Sequence, residues 1–402
     1  MNCINCFELF AGCGGLGYGF HKQGFNIVAA NELEGEIAKT YKENFPETNV
    51  IVGDITQDEI KQQIYKQFNE NKPCDVILGG PPCVAYSMAG HRNSRDPRGQ
   101  LFKDYIQIVK ELNPKVFVME NVKGILTILH DKPILTESEK KTADAYYELE
   151  SEKIKLMAEK KQMSSKDKAF QREEELKQVT DQIKHMQKRI REFRMNVTDI
   201  IKNTFQAMGY CVEMKLLNSA NYGVPQKRER VIFIGVRNDI STLNNTSNTI
   251  TFPKETHDKN GGSAECKDKR KWVSVREAID DLKDIPEDPE ILQQIYTVHS
   301  KEFIEKIKKT QIGKSVNPKY SEAFFRCDPD SPSNTVKENH GGVFIHYEKN
   351  RVMTPRELAR LQSFPDNFKF KGSKTSMLVQ LGNAVPCGLS NSIASEIKKL
   401  FN

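Results

Sequence analysis

Residues 7 to 20, FELFAGCGGLGYGF, run from an apolar β-rich stretch into a cluster of glycines and then into a helical pattern. That junction restricts the fold more than any other feature of the chain. Gly12-Cys13-Gly14-Gly15-Leu16-Gly17 satisfies the G-x-G-x-x-G spacing. Such glycines let the backbone turn tightly and approach a ligand closely at the carboxyl edge of a parallel sheet. The next β-rich run, NIVAANE, ends in Glu32, where an acid can accept hydrogen bonds from a ribose diol. Asp54, in Gly53-Asp54-Ile55 after a third run, either adds an acid at that edge or is a helix N-cap. A nucleotide-like cofactor follows, and both NAD and S-adenosylmethionine carry an adenosine that suits it.

The flanking sequence supports an α/β fold. Strands are expected at Cys6–Phe10, Ile27–Asn31, Val50–Val52, Asp75–Leu78 and Val116–Met119, with helices such as Glu36–Asn44 and Leu101–Leu112 between them. This alternation predicts a parallel, Rossmann-like sheet, resumed at Tyr210–Leu216 and Arg230–Val236. Residues 131–196 interrupt it with a Lys/Glu-rich stretch that has no Gly and one Pro, at 133. There Leu176, Val179, Ile183, Met186, Ile190, Phe193, Val197 and Ile200 recur at three- and four-residue steps, a heptad seam. Tyr146, Leu149 and Met157 form a weaker stripe, so an inserted helical hairpin is expected, its charges nearly balanced. Residues 238–375 are irregular and read as a smaller mixed domain, leaving 1–130, 197–237 and 376–402 to build the α/β domain. A short amphipathic helix is expected there at Val275–Leu282.

Composition removes several classes. No apolar run approaches the length of a membrane span, and MNCINCFELF lacks the basic start of a secretory signal. Nine cysteines without scaffold spacing read as reduced thiols of a cytoplasmic protein. Cys3 and Cys6 have a metal-like spacing with no second pair nearby, so no metal site is expected. A net charge of +6 permits a polyanionic partner without arguing for one.

Four further stretches carry chemistry. GGPPCVAYS, residues 79–87, stops the strand Asp75–Leu78 with two prolines and places Cys83 behind them, as a small buried hydrophobe or as a nucleophile at the mouth of a site. Met119-Glu120-Asn121-Val122 closes an apolar strand with a carboxylate at the same edge. In Gln226-Lys227-Arg228-Glu229-Arg230, period-two alternation puts Gln226, Arg228 and Arg230 on one face. Gln380-Leu381-Gly382-Asn383-Ala384-Val385-Pro386 stands near the C-terminus.

In order, FELFAGCGG, NELE, GDI, GGPPC with AYS, DPRGQLF, MENV, NYGVPQKRER, TPRELARLQSFP and QLGNAVP resemble the DNA (cytosine-5) methyltransferases through residues 5–130, 197–237 and 331–395. The resemblance implies a methyl transfer from S-adenosylmethionine to cytosine C5 in a specific duplex sequence, with the base flipped out of the helix. It implies that Cys83 attacks C6, that Glu120 holds N3 and the exocyclic amine, and that Arg230 binds O2 with Arg228 beside it. Phe10, Gly12, Gly14, Glu32, Leu33, Asp54, Ile55, Pro82, Leu101, Asn383 and Val385 would form the cofactor site, with the C-terminal segment packed back on the first strand. Ser87, Gln226 and Thr335 would touch DNA, and 238–375 would recognise the target. The charges of Thr354–Pro365 are expected to be structural. A cytoplasmic monomer of a bacterium or phage-infected cell, with a restriction endonuclease acting separately, fits the family. Glu8 stands where the family usually has Asp, Val84 where a Gln often follows the nucleophile, and the family pattern supplies no job for the helical insert. Cytosine methyltransferases acting on RNA share these motifs. An NAD dehydrogenase would explain the glycines and Glu32 without Cys83 and Glu120, and a non-catalytic DNA-binding relative should lack one of those two.

Overall fold

The structure, a computed structural model, describes residues 3–82, 100–162, 166–243, 250–290, 292–318, 323–338 and 344–401. Cys83, Val84 and Ser87 lie outside them. The chain divides into two compact units, one of Met1–Pro81, Asp104–Asn121 and Tyr210–Asn402, the other of Pro82–Lys103 and Val122–Gly209.

The chain alternates β1 (Asn5–Leu9), α1 (Gly15–Lys22), β2 (Asn26–Glu32), α2 (Gly35–Asn44), β3 (Asn49–Val52), α3 (Asp58–Tyr65), β4 (Val76–Gly79), α4 (Leu101–Leu112, its first three residues in the second unit) and β5 (Val116–Val122). Strands β1 to β5 pair in parallel. Apart from the edge strand β3, they are buried almost end to end, which is why their sequences are apolar runs rather than alternations. In the second unit β6 (Leu129–Asp131) and β7 (Arg194–Asn196) enclose α5 (Glu137–Gln162) and α6 (Lys166–Glu192), and α7 (Val197–Ala207) follows. The chain then returns to the sheet as β8 (Tyr210–Asn218) and β9 (Glu229–Arg237), and the strand order is β3-β2-β1-β4-β5-β9-β8.

The resumed pattern is not a parallel repeat. β8 and β9 are antiparallel, from Tyr210 opposite Arg237 to Asn218 opposite Glu229. Residues 219–228 join them with a 3-10 turn rather than the helical crossover that parallel neighbours need.

After α8 (Asn238–Leu243) come the paired β10 (His257–Asp258) and β11 (Arg270–Lys271), α9 (Val275–Ile279), α10 (Lys301–Lys309), and the paired β12 (Phe325–Arg326) and β13 (Phe344–Ile345). A capping box between Ser274 and Glu277 starts α9, which passes into a 3-10 turn at Asp280–Leu282. The chain ends in α11 (Pro355–Leu361), α12 (Lys374–Asn383) and α13 (Cys387–Lys398). Residues 238–375 group with the sheet in one unit. Around α11, Arg356 is buried and donates to the carbonyls of Leu292, Pro365 and Phe368, while Glu357 pairs with Arg351 at 2.7 Å. Both side chains are therefore structural. The last helix lies close along α1: a methyl group on Gly15 would stand 2.3 Å from the Val385 carbonyl oxygen, and one on Gly19 would stand 2.2 Å from Asn391 N.

In the second unit α5 and α6 pack through Ala143, Tyr146, Tyr147, Leu156, Val179, Ile183, Ile190 and Phe193. The seam does not continue as one helix. It leaves the hairpin at Phe193, passes through β7, and Val197 and Ile200 belong to α7. Met157 is 47% exposed, and its neighbour Leu156 faces α6 instead. The neck is fixed by polar contacts. Arg194 pairs with Asp131 at 3.2 Å, donates to the Tyr147 hydroxyl at 2.7 Å, and stacks over Tyr146 and Tyr147.

Candidate active site

The carboxyl ends of β1, β2 and β3 share one edge of the sheet. Beyond β1 the chain turns through Phe10, Gly12 and Gly14, whose φ angles are 53°, 55° and 95°. The positive φ at Gly12 suits glycine, and a side chain there would meet nothing within 4 Å, so the backbone lies open to a ligand. Glu32 closes this loop from β2. Its Oε2 accepts from Gly12 N at 2.8 Å and its Oε1 from Glu34 N at 3.0 Å. Burial raises its pKa, the backbone donors lower it, and Glu34 adds to the rise. Each carboxylate oxygen can accept a second hydrogen bond, so a diol can still be bound. Leu33 beside it is 59% exposed, and Ile55 is buried. Asp54 closes its own turn, with Oδ1 accepting from Thr56 N and Oγ1, each at 2.9 Å.

Glu8 lies beneath this loop. Its Oε1 accepts from Gly17 N at 2.9 Å and its Oε2 from the Tyr41 hydroxyl at 2.6 Å. Gly14, the N-cap of α1, has no side chain to cap the helix, so Glu8 supplies that acceptor from within the sheet. A methyl on Gly17 would stand 2.1 Å from Glu8 Oε2. The sequence marked Glu8 only as a departure from the family's Asp. Asn383, the last residue of α12, is exposed, and Val385 is buried with its carbonyl against Gly15. The C-terminal segment therefore reaches the glycine loop.

At the end of β5 the site has its strongest charge contact. Glu120 Oε1 and Arg230 Nε are 2.6 Å apart, and both side chains are 12% exposed. Gly80 leaves room for them, since a methyl there would come within 2.9 Å of Glu120 Oε2. Asn121 Nδ2 donates to the Pro81 carbonyl at 3.1 Å, holding the start of the segment that leads to Cys83. Pro82, exposed, and Leu101, half-buried at the start of α4, belong to the second unit.

Alternation along 226–230 holds, and the shared face points inward. Gln226 is fully buried, donating to the Leu361 carbonyl and Gln362 Oε1 and accepting from Val336 N at 2.9 Å. Expected at DNA, it is instead an interior tie, because a period of two assigns a face but not what that face meets. Arg228 is 2% exposed, and its Nη1 and Nη2 donate to the carbonyls of Val336 at 2.8 Å and Gly382 at 2.9 Å. Burial pulls its pKa down, Arg230 does the same, and Glu120 opposes them. It therefore braces the 333–336 segment and the end of α12 rather than presenting its charge to a ligand. Thr335 is half-buried, and its hydroxyl donates to the Lys227 carbonyl at 2.9 Å. Cys6 is buried in β1 and Cys3 is exposed. Among the described residues no group of three or more His, Cys, Asp or Glu is placed to hold a metal, and no helix is long and apolar enough to cross a membrane.

The chain is similar to known proteins along nearly its whole length. The pattern of the C-5 cytosine-specific DNA methylases matches residues 4–158 and 179–399. The Type II methyltransferase M1.HphI of Haemophilus parahaemolyticus is 32% identical across 99% of this chain and 87% of its own length. M.NgoPII of Neisseria gonorrhoeae is 31% identical across 99% of this chain and 96% of its own. Among solved structures, a candidate DNA modification methyltransferase encoded within an E. coli prophage superposes with a TM-score of 0.65 at 23% identity, covering 99% of both chains. DNMT2 of Spodoptera frugiperda gives 0.55 at 19%, also over 99% of both, and these two likenesses concern the fold. With its family pattern matched along nearly its whole length and a relative above 30% identity spanning it, this chain belongs to the C-5 cytosine-specific DNA methylase family.

Proposed function

We propose that the protein methylates C5 of cytosine in a specific duplex DNA sequence, using S-adenosylmethionine, by flipping the base and attacking its C6 with Cys83. The observation that carries this reading is the Glu120–Arg230 pair at 2.6 Å, on the strand edge beside Gly80-Pro81, from which the chain leads to Cys83. Cytosine C5 is a weak nucleophile. A thiolate bond to C6 makes C5 enamine-like, and the base needs groups that hold its N3 edge and O2 as charge develops. Glu120 meets N3 and the exocyclic amine, and Arg230 meets O2. Gly80, without a side chain, leaves space against the carboxylate. Bound S-adenosylmethionine supplies an electrophilic methyl group. The open backbone at Gly12 and the Glu32 carboxylate fit its adenosine, with Phe10, Gly14, Leu33, Asp54, Ile55, Asn383 and Val385 as the remaining wall within the first unit. After transfer C5 loses its proton and Cys83 leaves by elimination. Arg228 acts as a positioning residue, Thr335 and Ser87 touch the backbone of the DNA, and 238–375 read the target. The enzyme works as a cytoplasmic monomer, with any restriction endonuclease acting separately.

The test is incorporation of labelled methyl groups into plasmid DNA and, in parallel, into tRNA. Duplex DNA should be the substrate, Cys83→Ala should abolish transfer while still binding the cofactor, and DNA carrying 5-fluorocytosine should trap a covalent adduct. Full activity in Cys83→Ala overturns the mechanism, and transfer to tRNA alone overturns the substrate.

A further inference from the structure

The helical hairpin, nearly balanced in total charge, carries a net basic stripe on one helix and a net acidic one on the other. On α6, Lys177, Lys184, Lys188 and Arg191 are exposed and lie within about 60° of arc at 3.6 residues per turn. They stand roughly opposite the seam of Leu176, Val179, Ile183, Met186 and Ile190 that packs on α5. On α5, the exposed stripe opposite the seam holds Glu137, Lys141, Asp144, Glu148, Glu152 and Lys155, and its sign is acidic. Among the described residues, ion pairs between α5 and α6 lie toward the tip, Arg172 with Glu159 at 3.0 Å and Lys160 with Glu173 at 3.2 Å. Among the described residues, Lys184 is the one member of the basic stripe in an ion pair, with Asp181 beside it on its own helix at 3.0 Å. The stripe from Lys177 to Arg191 is about 21 Å long at ~1.5 Å per residue, a length that meets several successive phosphates of one strand.

The hairpin also holds a fixed direction within its unit. Arg194, Asp131, Tyr146 and Tyr147 lock its neck, and His130 of β6 packs its ring edge-on to Phe102 at 5.6 Å. Phe102 lies in the first turn of α4, the helix that follows Cys83 in the chain. A solvated spacer needs neither this anchoring nor a sorting of charge by face.

We propose that the outer face of α6, through Lys177, Lys184, Lys188 and Arg191, grips the phosphate backbone of duplex DNA as a sequence-independent anchor outside the target base. The inference rests on the DNA-methylating reading above. Charge complementarity names the occupant: four cations in line suit a polyanion, and counterion release makes such contacts strong and salt-dependent.

The test is equilibrium binding of a long random-sequence duplex across a salt series, with the full-length protein. The triple variant Lys184→Glu/Lys188→Glu/Arg191→Glu should bind at least tenfold more weakly near 0.1 M salt. Its slope of log K against log salt should be shallower by about 2.7, at ~0.9 per lost phosphate contact. At saturating DNA its kcat should match the wild type while its KM for DNA rises. The neutral pair Lys188→Gln/Arg191→Gln, which alters only exposed groups, should lower the slope by about 1.8. Glu148→Gln/Glu152→Gln on α5 should not weaken binding. Unchanged affinity and slope in the folded basic-stripe variants overturns the proposal. So does a wild-type dimer that these variants split without touching DNA binding, which would make a second copy the partner. If the wild type transfers no methyl group to DNA at all, the functional reading fails instead, and the two failures are told apart.

Discussion

Replacing Glu8 by Gln should make the protein's stability less dependent on pH, by an amount the structure sets. Glu8 is 1% exposed, and burial pushes its pKa up from 4.5 to about 7, against the opposing hydrogen bonds from Tyr41 and Gly17 and with the Glu32 charge adding to the rise. In the unfolded chain the carboxyl releases its proton near 4.5, the ordinary value; in the folded protein it does so near 7. Between these values the folded state holds a proton that the unfolded state has lost, so stability falls as pH rises. The favourable contribution is complete below the unfolded pKa and lost as pH passes the folded one. At about 1.4 kcal/mol per pKa unit, the fall is roughly 3 kcal/mol. Glutamine fills the same volume, accepts from Gly17 N, and donates to the Tyr41 oxygen, with nothing to titrate. Urea unfolding of both proteins from about pH 4.5 to 8 should therefore show the variant gaining roughly 3 kcal/mol relative to wild type. A difference between the two that stays flat across this interval refutes the reasoning.

Two other substitutions probe the braces around the site. Arg228→Ala leaves the carbonyls of Val336 and Gly382 buried without their donors, at ~1–3 kcal/mol each. It should lower stability by roughly 2 to 5 kcal/mol in denaturant unfolding and raise the KM for DNA. Gly15→Ala drives a methyl to 2.3 Å from the Val385 carbonyl, where backbone must shift. A loss of about 1–3 kcal/mol is expected, with weaker S-adenosylmethionine binding by calorimetry.

What the sequence discloses depends on whether a residue's signal is local. The strands of the first unit are legible because burial on both faces forces continuous apolar runs, and the observed ends differ from the expected ones by at most a few residues. The glycine loop is legible because Gly12 and Gly14 take positive φ, a conformation that favours glycine. The hairpin's end is not. Phe193, Val197 and Ile200 keep a helical step across β7, and no Gly or Pro marks the break, so one periodicity spans two helices and a strand. Leu156 and Met157 are adjacent and apolar, and only the facing helix selects Leu156.

The site shows the same division. Alternation correctly groups Gln226, Arg228 and Arg230, yet one is an interior tie, one a brace and one the partner of Glu120, because the face they share meets 336, 361–362 and 382 as well as β5. Those contacts join positions more than a hundred residues apart, and no local pattern encodes them. Net charge says less than its distribution over the faces. Summed over the insert, Lys and Glu nearly cancel, and a DNA-contacting role looks weak. Yet a partner meets one face at a time, and with a Debye length of about 10 Å at 0.1 M salt the far side of a helix pair contributes little. The relevant quantity is charge per exposed face, which requires knowing where α5 and α6 turn and which residues their seam removes from solvent.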